Sequence, residues 1–397
     1  MCTSSIWGRN YTSSILLLVL LAFAGISDAR SQSATIVGTI SSAPIQNAHL
    51  VSAAHGWVLA GGNLFWTINN GQTWSNITPS LNGTRQIDSV YFLDETYAWA
   101  ILHDAAGPGI YVATTNTAGS AWTIQQIASG GAEMNQFYGY TAHLTFTNPA
   151  QGWALLTKTS SAAASSGALF VTRDGGASWS RLPDPPGAGE IRFFAQMGWL
   201  VGGVNGMYGN HLWVTRDGGQ SWHGQTVSPP PKIASASKIQ FDYHLPVFND
   251  AKHGILSVTY KILDPAAPYP QELSYVGIYS TLDGGNTWQL ANSYRTSPMA
   301  NSTSVDSTVI QSIAASGATV VTGTHASMHV APLPPQLPRG YFDTNLLSFP
   351  DTNNGWILIS RNRGCVKLGC QTVEALLATQ DGGVTVTLVL AYTNTKD

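Results

Sequence analysis

The sequence predicts an all-β fold built as a ring of repeated four-stranded sheets. Three observations carry that reading: an octamer that recurs along the chain, a second apolar motif that recurs out of phase with it, and the lack of any convincing amphipathic helix after the N-terminal segment. The octamer is Thr-x-Asp-Gly-Gly-x-Ser/Thr-Trp, found at Thr172 to Trp179, Thr215 to Trp222 and Thr281 to Trp288. Degenerate copies run from Thr67 to Trp74, Thr115 to Trp122 and Thr379 to Val386. Their closing positions are 43 to 66 residues apart until the last interval of 98, which predicts one unit without the motif. The second motif, Gly-Trp or Ala-Trp followed by apolar residues, ends at Trp57, Trp99, Trp153, Trp199 and Trp356, with a weakened copy at Gly254-Ile255. The stretch Ile310 to Thr324 has the same strand-turn-strand shape without Trp, which makes seven units. Four strands per unit at this period predict a β-propeller of seven blades, or of six plus an irregular segment, because the sixth unit lacks an obvious fourth strand.

Each element has its reason. In every unit strand A precedes the Gly-Trp turn, strand B carries it, strand C ends at the octamer's Thr and strand D starts at its Trp. In the octamer, Asp suits a turn that needs backbone N–H groups capped, Gly supplies positive φ, and Trp suits packing between blades. Asp174, Asp217, Asp283 and Asp381, with Trp179, Trp222 and Trp288, are therefore expected to be structural. A catalytic acid is needed once, whereas a turn cap is needed in every blade.

Composition narrows the function. Charged residues are 10% of 397, against roughly 25% in an average globular domain, while 44% are hydrophobic. The net charge of −3 and 18 scattered Lys and Arg make no basic patch for nucleic acid. Residues 1–29, with Arg9, an apolar run from Ile15 to Ile26 and small residues before the cut, read as a signal peptide and predict a secreted or periplasmic protein. Twelve apolar residues are too few to span a bilayer, which needs roughly 20. Residues 30–44 form an N-terminal segment able to supply a ring-closing strand, 45–392 the propeller, and 393–397 a tail. Cys365 and Cys370, four residues apart, suggest a local disulfide in an oxidising compartment. No metal site and no cofactor are expected.

The octamer identifies the chain as similar to the Asp-box, or BNR, repeat propellers, which include sialidases, sortilin-type receptors and the photosystem II stability/assembly factor family. Pairing with Gly-Trp makes it resemble the last group most, across roughly residues 45 to 392. That resemblance implies a non-enzymatic binder of a protein or cofactor-carrying partner. The sialidase comparison implies three carboxylate-binding arginines and an early Arg-Ile-Pro motif; no Arg-Ile-Pro occurs, and Arg173 and Arg216 sit inside octamers.

Strand parity places A–B and C–D loops on one face and B–C and D–A loops on the other. The long connections, Lys158 to Ala168, Lys261 to Tyr275, Arg361 to Val373, Arg181 to Gly189 and Thr226 to Ser237, all fall on the face opposite the octamers. Elaborated loops on a rigid scaffold mark a binding surface. Strand A lines the central channel, so its polar residues Asp88, His143, Glu190, Arg192, Lys238, Asp242 and His244 are the candidate ligand contacts. The expected protein is a monomeric, secreted, non-enzymatic propeller that engages a protein or glycan through this face. The alternative is a sialidase-like glycoside hydrolase, for which Glu190 and Asp242 would be the carboxylate pair.

Overall fold

The computed structural model describes residues 36–396 except 81–84, 105–108, 129–141, 160–164, 203–209, 237, 264–271, 297–300, 306–307, 317–318, 325–326, 340–341 and 363–369. The signal-peptide expectation at 1–29 lies outside the described residues, as does Cys365; Cys370 is described in backbone only. The described part is all-β, and its strands pair into seven sheets. Six sheets carry an octamer in their C–D hairpin and are the blades of a β-propeller: 45–76, 85–128, 142–181, 190–225 and 239–296, here blades 1 to 5, and 343–396, the last blade. Between blade 5 and the last blade, the segment 301–332 is a four-stranded meander with no octamer. Its fourth strand, Ser327–Pro332, is the one the sequence left unassigned. The six octamer-bearing blades match the alternative of six blades plus a further segment.

The two sequence motifs are the two ends of one fastening. In every octamer the first Thr accepts the fifth residue's N–H, as Gly176 N to Thr172 Oγ1 at 2.8 Å, and donates to the acid, as Thr172 Oγ1 to Asp174 Oδ1 at 2.8 Å. The acid then caps the seventh residue, Ser178 N to Asp174 Oδ1 at 2.9 Å. Asn69 and Thr117 occupy the acid's place in the first two copies and cap Thr73 N and Ala121 N at 2.9 and 3.1 Å. A neutral oxygen does the same work, so the role is structural. The fourth residue of each octamer has positive φ, from 52° at Asn70 to 74° at Gly175. Its N–H donates across the same blade to the A–B turn: Gly175 to Ala150 O at 2.8 Å, Gly218 to Gln196 O at 2.9 Å, Gly284 to Lys252 O at 2.9 Å and Gly382 to Asn353 O at 2.9 Å. The A–B turns are themselves capped by Asp94, Asn148, Asp250 and Asp351, each of which accepts two backbone N–H groups.

The strand-B tryptophan then joins neighbouring blades. Trp99 stacks on Phe146 of the next blade at 3.5 Å between centroids, Trp153 on Phe193 at 3.8 Å and Trp199 on Phe248 at 4.5 Å. Trp99 Nε1 donates to Gly175 O at 2.8 Å and Trp153 Nε1 to Gly218 O at 2.9 Å, so each indole grips the following blade's octamer. The fifth octamer residue must be Gly where that indole arrives; a Cβ on Gly285 would meet Trp199 Cζ2 at 3.0 Å. Trp199 Nε1, by contrast, is buried without a hydrogen-bond partner.

Blade 1 and the last blade close on a shared core containing Leu50, Val58, Trp356 and Leu376. Trp356 Nε1 donates to Asn70 Oδ1 at 2.7 Å, and Ile45 N donates to Glu374 Oε2 at 2.6 Å. The N-terminal segment adds a short hairpin outside the last blade, Ile40 pairing parallel with Ala391. Residues 393–396 continue the last blade's strand D instead of forming a tail. In the connections expected at 158–168, 261–275 and 361–373, the described residues at both ends are strand. Strand B runs on through Thr159, Leu263 and Asn362, and strand C begins at Ser165, Glu272 and Cys370. Ladder pairing continues into these arms, for example Lys158 with Ser166, where Ser- and Ala-rich sequence carries no strand signature.

Trp153→Phe should lower unfolding stability by about 1–2 kcal/mol more than Trp199→Phe, because only Trp153 loses a made hydrogen bond and orphans a carbonyl. Urea unfolding of the two variants measures the difference, and equal costs would contradict the latch. The Ser178 hydroxyl and N–H hold the Asp174 carboxyl down to about 2, and the Thr287 N–H and hydroxyl hold Asp283 to about 2. Burial alone would raise Asp217, yet the bonds from Ser221 hold it to about 2. Folded values below the unfolded carboxylate range mean stability present above about pH 4 and lost as pH falls toward 2. The triple Asp→Asn variant at 174, 217 and 283 should therefore show a shallower acid limb in urea midpoint against pH; an unaltered limb would refute it.

Candidate functional site

Because the octamers pin every A–B turn, the inner strands arrive at the bore in one register. The residue opposite the strand-B Trp is His49 in blade 1, Tyr91 in blade 2, Thr145 in blade 3, Arg192 in blade 4 and Ser348 in the last blade. These form one level of the inner strands, near the octamer face, at which Thr145 and Ser348 are themselves buried against the next blade. Two residues earlier on the same side of the strand, His143 lies opposite Leu155, Glu190 opposite Val201, and His244, whose N–H reaches Ser257 O at 3.1 Å, opposite Ser257. Three successive blades thus bring His143, Glu190 and His244 to a second level, one step toward the insertion-bearing face.

Arg192 and Glu190 are exposed to water although protein surrounds them, as befits side chains lining a bore. Burial lowers Arg192 from its ordinary value, with Tyr91 and Glu190 working against the shift, and its Nη1 donates to Pro246 O at 3.2 Å. Burial, then the Arg192 charge, brings His49 down to about 4. Ser348 Oγ accepts Leu50 N at 2.9 Å and sits 2.9 Å from His49 Nδ1, a contact that the hydroxyl can make as donor or acceptor according to the imidazole's tautomer. His143 and His244 are likewise lowered by burial, with the Glu190 carboxylate opposing. His244 Nε2 lies 3.0 Å from Thr259 Oγ1. At neutral pH the bore therefore offers uncharged imidazoles beside the Arg192 guanidinium and the Glu190 carboxylate.

Of the other candidates, Asp242 lies on blade 5's inner strand Ile239–Tyr243, opposite Thr259 and two residues before His244. Asp88 occupies a bulge in blade 2, where His103 Nδ1 meets both its oxygens at 2.7 and 2.8 Å; burial raises it to about 6 against the opposing His103. Lys238 stands away from these levels, at the entrance of blade 5's inner strand, where it lines a pocket of about 450 Å³ on the insertion-bearing face. A second cleft, about 540 Å³, opens between blades 4 and 5 beside Arg216 and Trp288. Among the described residues no group of three His, Cys, Asp or Glu could hold a metal ion, and no helix is long and apolar enough to cross a membrane.

His49, Tyr91, Thr145 and Ser348 were missed by residue-type reasoning, yet each stands eight residues before its blade's Trp, and Arg192 stands seven before Trp199. The arginines do not converge. Arg85 turns onto the Tyr111 ring at 3.7 Å, Arg361 is buried against Arg339 O and Phe342, and Arg181 pairs with Asp184. Tyr91 is no activated nucleophile: burial raises its pKa, and its hydroxyl donates to Phe146 O at 3.1 Å.

No protein-family model and no curated protein matches the chain. Solved structures do. A prolyl endopeptidase is similar at 11% identity and TM-score 0.50 over 86% of this chain and 47% of that one. YCF48 from Cyanidioschyzon merolae is similar at 12% identity and TM-score 0.41 over 77% and 88%. An α-L-arabinofuranosidase of Fusarium graminearum, solved with arabinobiose, is similar at 12% identity and TM-score 0.40 over 68% and 86%. At these identities the likeness establishes the β-propeller fold and no more.

Removing the charge at Arg192 with Arg192→Met should raise the His49 titration midpoint above about 4 without restoring the free-imidazole 6.5, because burial is the larger cause. Histidine ring signals followed by NMR against pH report it. An unmoved midpoint would mean that the two side chains do not share the bore.

Proposed function

We propose that this chain is an extracytoplasmic, non-enzymatic propeller that binds carbohydrate at the bore mouth on the insertion-bearing face. The observation that carries the reading is the level formed by His143, Glu190 and His244 on three successive blades. A neutral imidazole has one donor and one acceptor, the same pair a sugar hydroxyl presents, and a carboxylate takes two hydroxyls at once. A water-filled bore lined this way suits a hydroxyl-rich chain better than an apolar ligand. The octamers' resemblance to Asp-box propellers and the reading of residues 1–29 as a signal peptide support a role outside the cytoplasm.

Hydrolysis is disfavoured. Sialidase-type chemistry needs clustered arginines and an activated tyrosine, and here Arg192 has no second arginine beside it among the described residues while Tyr91 is held as the neutral phenol. The carboxylates of Glu190 and Asp242 stand on neighbouring inner strands at different levels.

The test is oligosaccharide binding by calorimetry, with His143→Ala and Glu190→Gln each expected to weaken binding by about tenfold, roughly 1.4 kcal/mol. A panel of fluorogenic glycosides should give no turnover above that of a Glu190→Gln/Asp242→Asn variant. Turnover that disappears in that variant would replace the binder with a hydrolase, and binding indifferent to both single substitutions would move the site elsewhere.

A further inference from the structure

The insertion at 226–237 is held down by tyrosines. Val227 N donates to Tyr243 Oη at 3.3 Å, Tyr279 Oη donates to Ser228 O at 2.6 Å, and Tyr260 Oη and Tyr279 Oη are 2.6 Å apart. Two turns follow, Ile233 N to Pro230 O at 2.9 Å and Ala236 N to Ile233 O at 3.0 Å. They drive Ile233 into the blade core, where it is 1% exposed, and leave Lys232 standing at the surface. Lys238, at the far end of the same insertion, leads directly into the inner strand that carries Asp242. The two lysines therefore flank a connection tied to the blade at Val227, Ser228 and Ile233.

Between them and the long B–C arm of blade 5 lies the pocket of about 450 Å³. This is within the roughly 300–1,000 Å³ typical of small-ligand sites. Its floor is Ile233, Ile262 and Leu273, and Tyr275 forms part of its wall. Among the described residues no carboxylate lines it, in a chain whose net charge is −3. A ring-sized ligand with an apolar face, and with a negative group at its edge, matches this combination of buried aliphatic floor, phenol and two ammonium groups. Neutral sugar alone would leave the cations without use, and an apolar ligand alone would have to desolvate them.

We propose that this pocket takes the acidic residue of an anionic polysaccharide, a uronate or a sulfated sugar, whose neighbouring residues enter the bore past Asp242. The inference rests on the carbohydrate reading above and narrows it to acidic chains. Lys232 and Lys238 supply the charge, and the insertion's tyrosine anchorage holds them in place before the ligand arrives.

The experiment titrates the full protein with paired oligosaccharides, a uronate chain against its carboxyl-reduced form and a sulfated chain against its desulfated form, at low and high salt. The acidic member should bind at least tenfold more tightly at low salt, and added salt should shrink the advantage. Lys232→Gln/Lys238→Gln, both exposed positions, should lose the preference while keeping affinity for the neutral member and an unchanged thermal midpoint. Equal binding of the two members overturns the inference and leaves the carbohydrate reading standing. A preference that survives in the double variant overturns it too, in favour of cations elsewhere such as Arg192. Free inorganic sulfate competing as well as the sulfated chain would reduce the pocket to an ion site and refute the saccharide. Failure to bind any member sinks both readings.

Discussion

The molecule depends on one hydrogen bond made six times: the N–H of the octamer's fourth residue to a carbonyl of its own blade's A–B turn. The bond requires left-handed backbone, which explains glycine there in four copies and positive φ at Asn70 and Ala118 in the other two. With that turn fixed, strand B's Trp is delivered to the next blade and strand A enters the bore in a fixed phase. Scaffold and site are thus set by the same contact. The inner-strand level of His49, Tyr91, Thr145, Arg192 and Ser348 exists because five turns have nearly the same length.

The ring is not uniform. Blade 5 has Ile255 where the others have Trp, its inner strand is broken at Pro246, and the following sheet at 301–332 carries neither motif. The same sector bears the tyrosine-anchored insertion and the long arm reaching Leu263. Regular fastening on one side and elaboration on the other divide the labour between holding the ring and displaying a surface. Placing the two in adjacent blades lets the surface vary while the inner strands keep their register.

Much of this was legible beforehand, and the limits are physical. The octamers and Gly-Trp pairs announce the fold because each is a local turn code, readable from a few neighbouring residues. Strand parity then assigns the faces. What the chain did not disclose is where turns give way to arms at 158–168 and 261–275, since Ser, Ala and Pro there carry little strand propensity and pairing is decided by partners. Among the candidate residues, Glu190, Arg192, His143 and His244 were legible as polar groups of the inner-strand segments. His49 and Tyr91 were overlooked because their role comes from register, and Lys238 belongs to a pocket that forms only when two distant segments meet. The regular distance from each tryptophan back to the bore would have found the first two.

Asn69 and Thr117 hold their hairpins with oxygens that never ionise. The first two octamers are therefore indifferent to protons where the other four rely on a carboxylate. In an acidifying environment the hairpins of the later octamers would loosen first while those of the first two kept their caps, so the ring's outer turns would let go unevenly around its circumference.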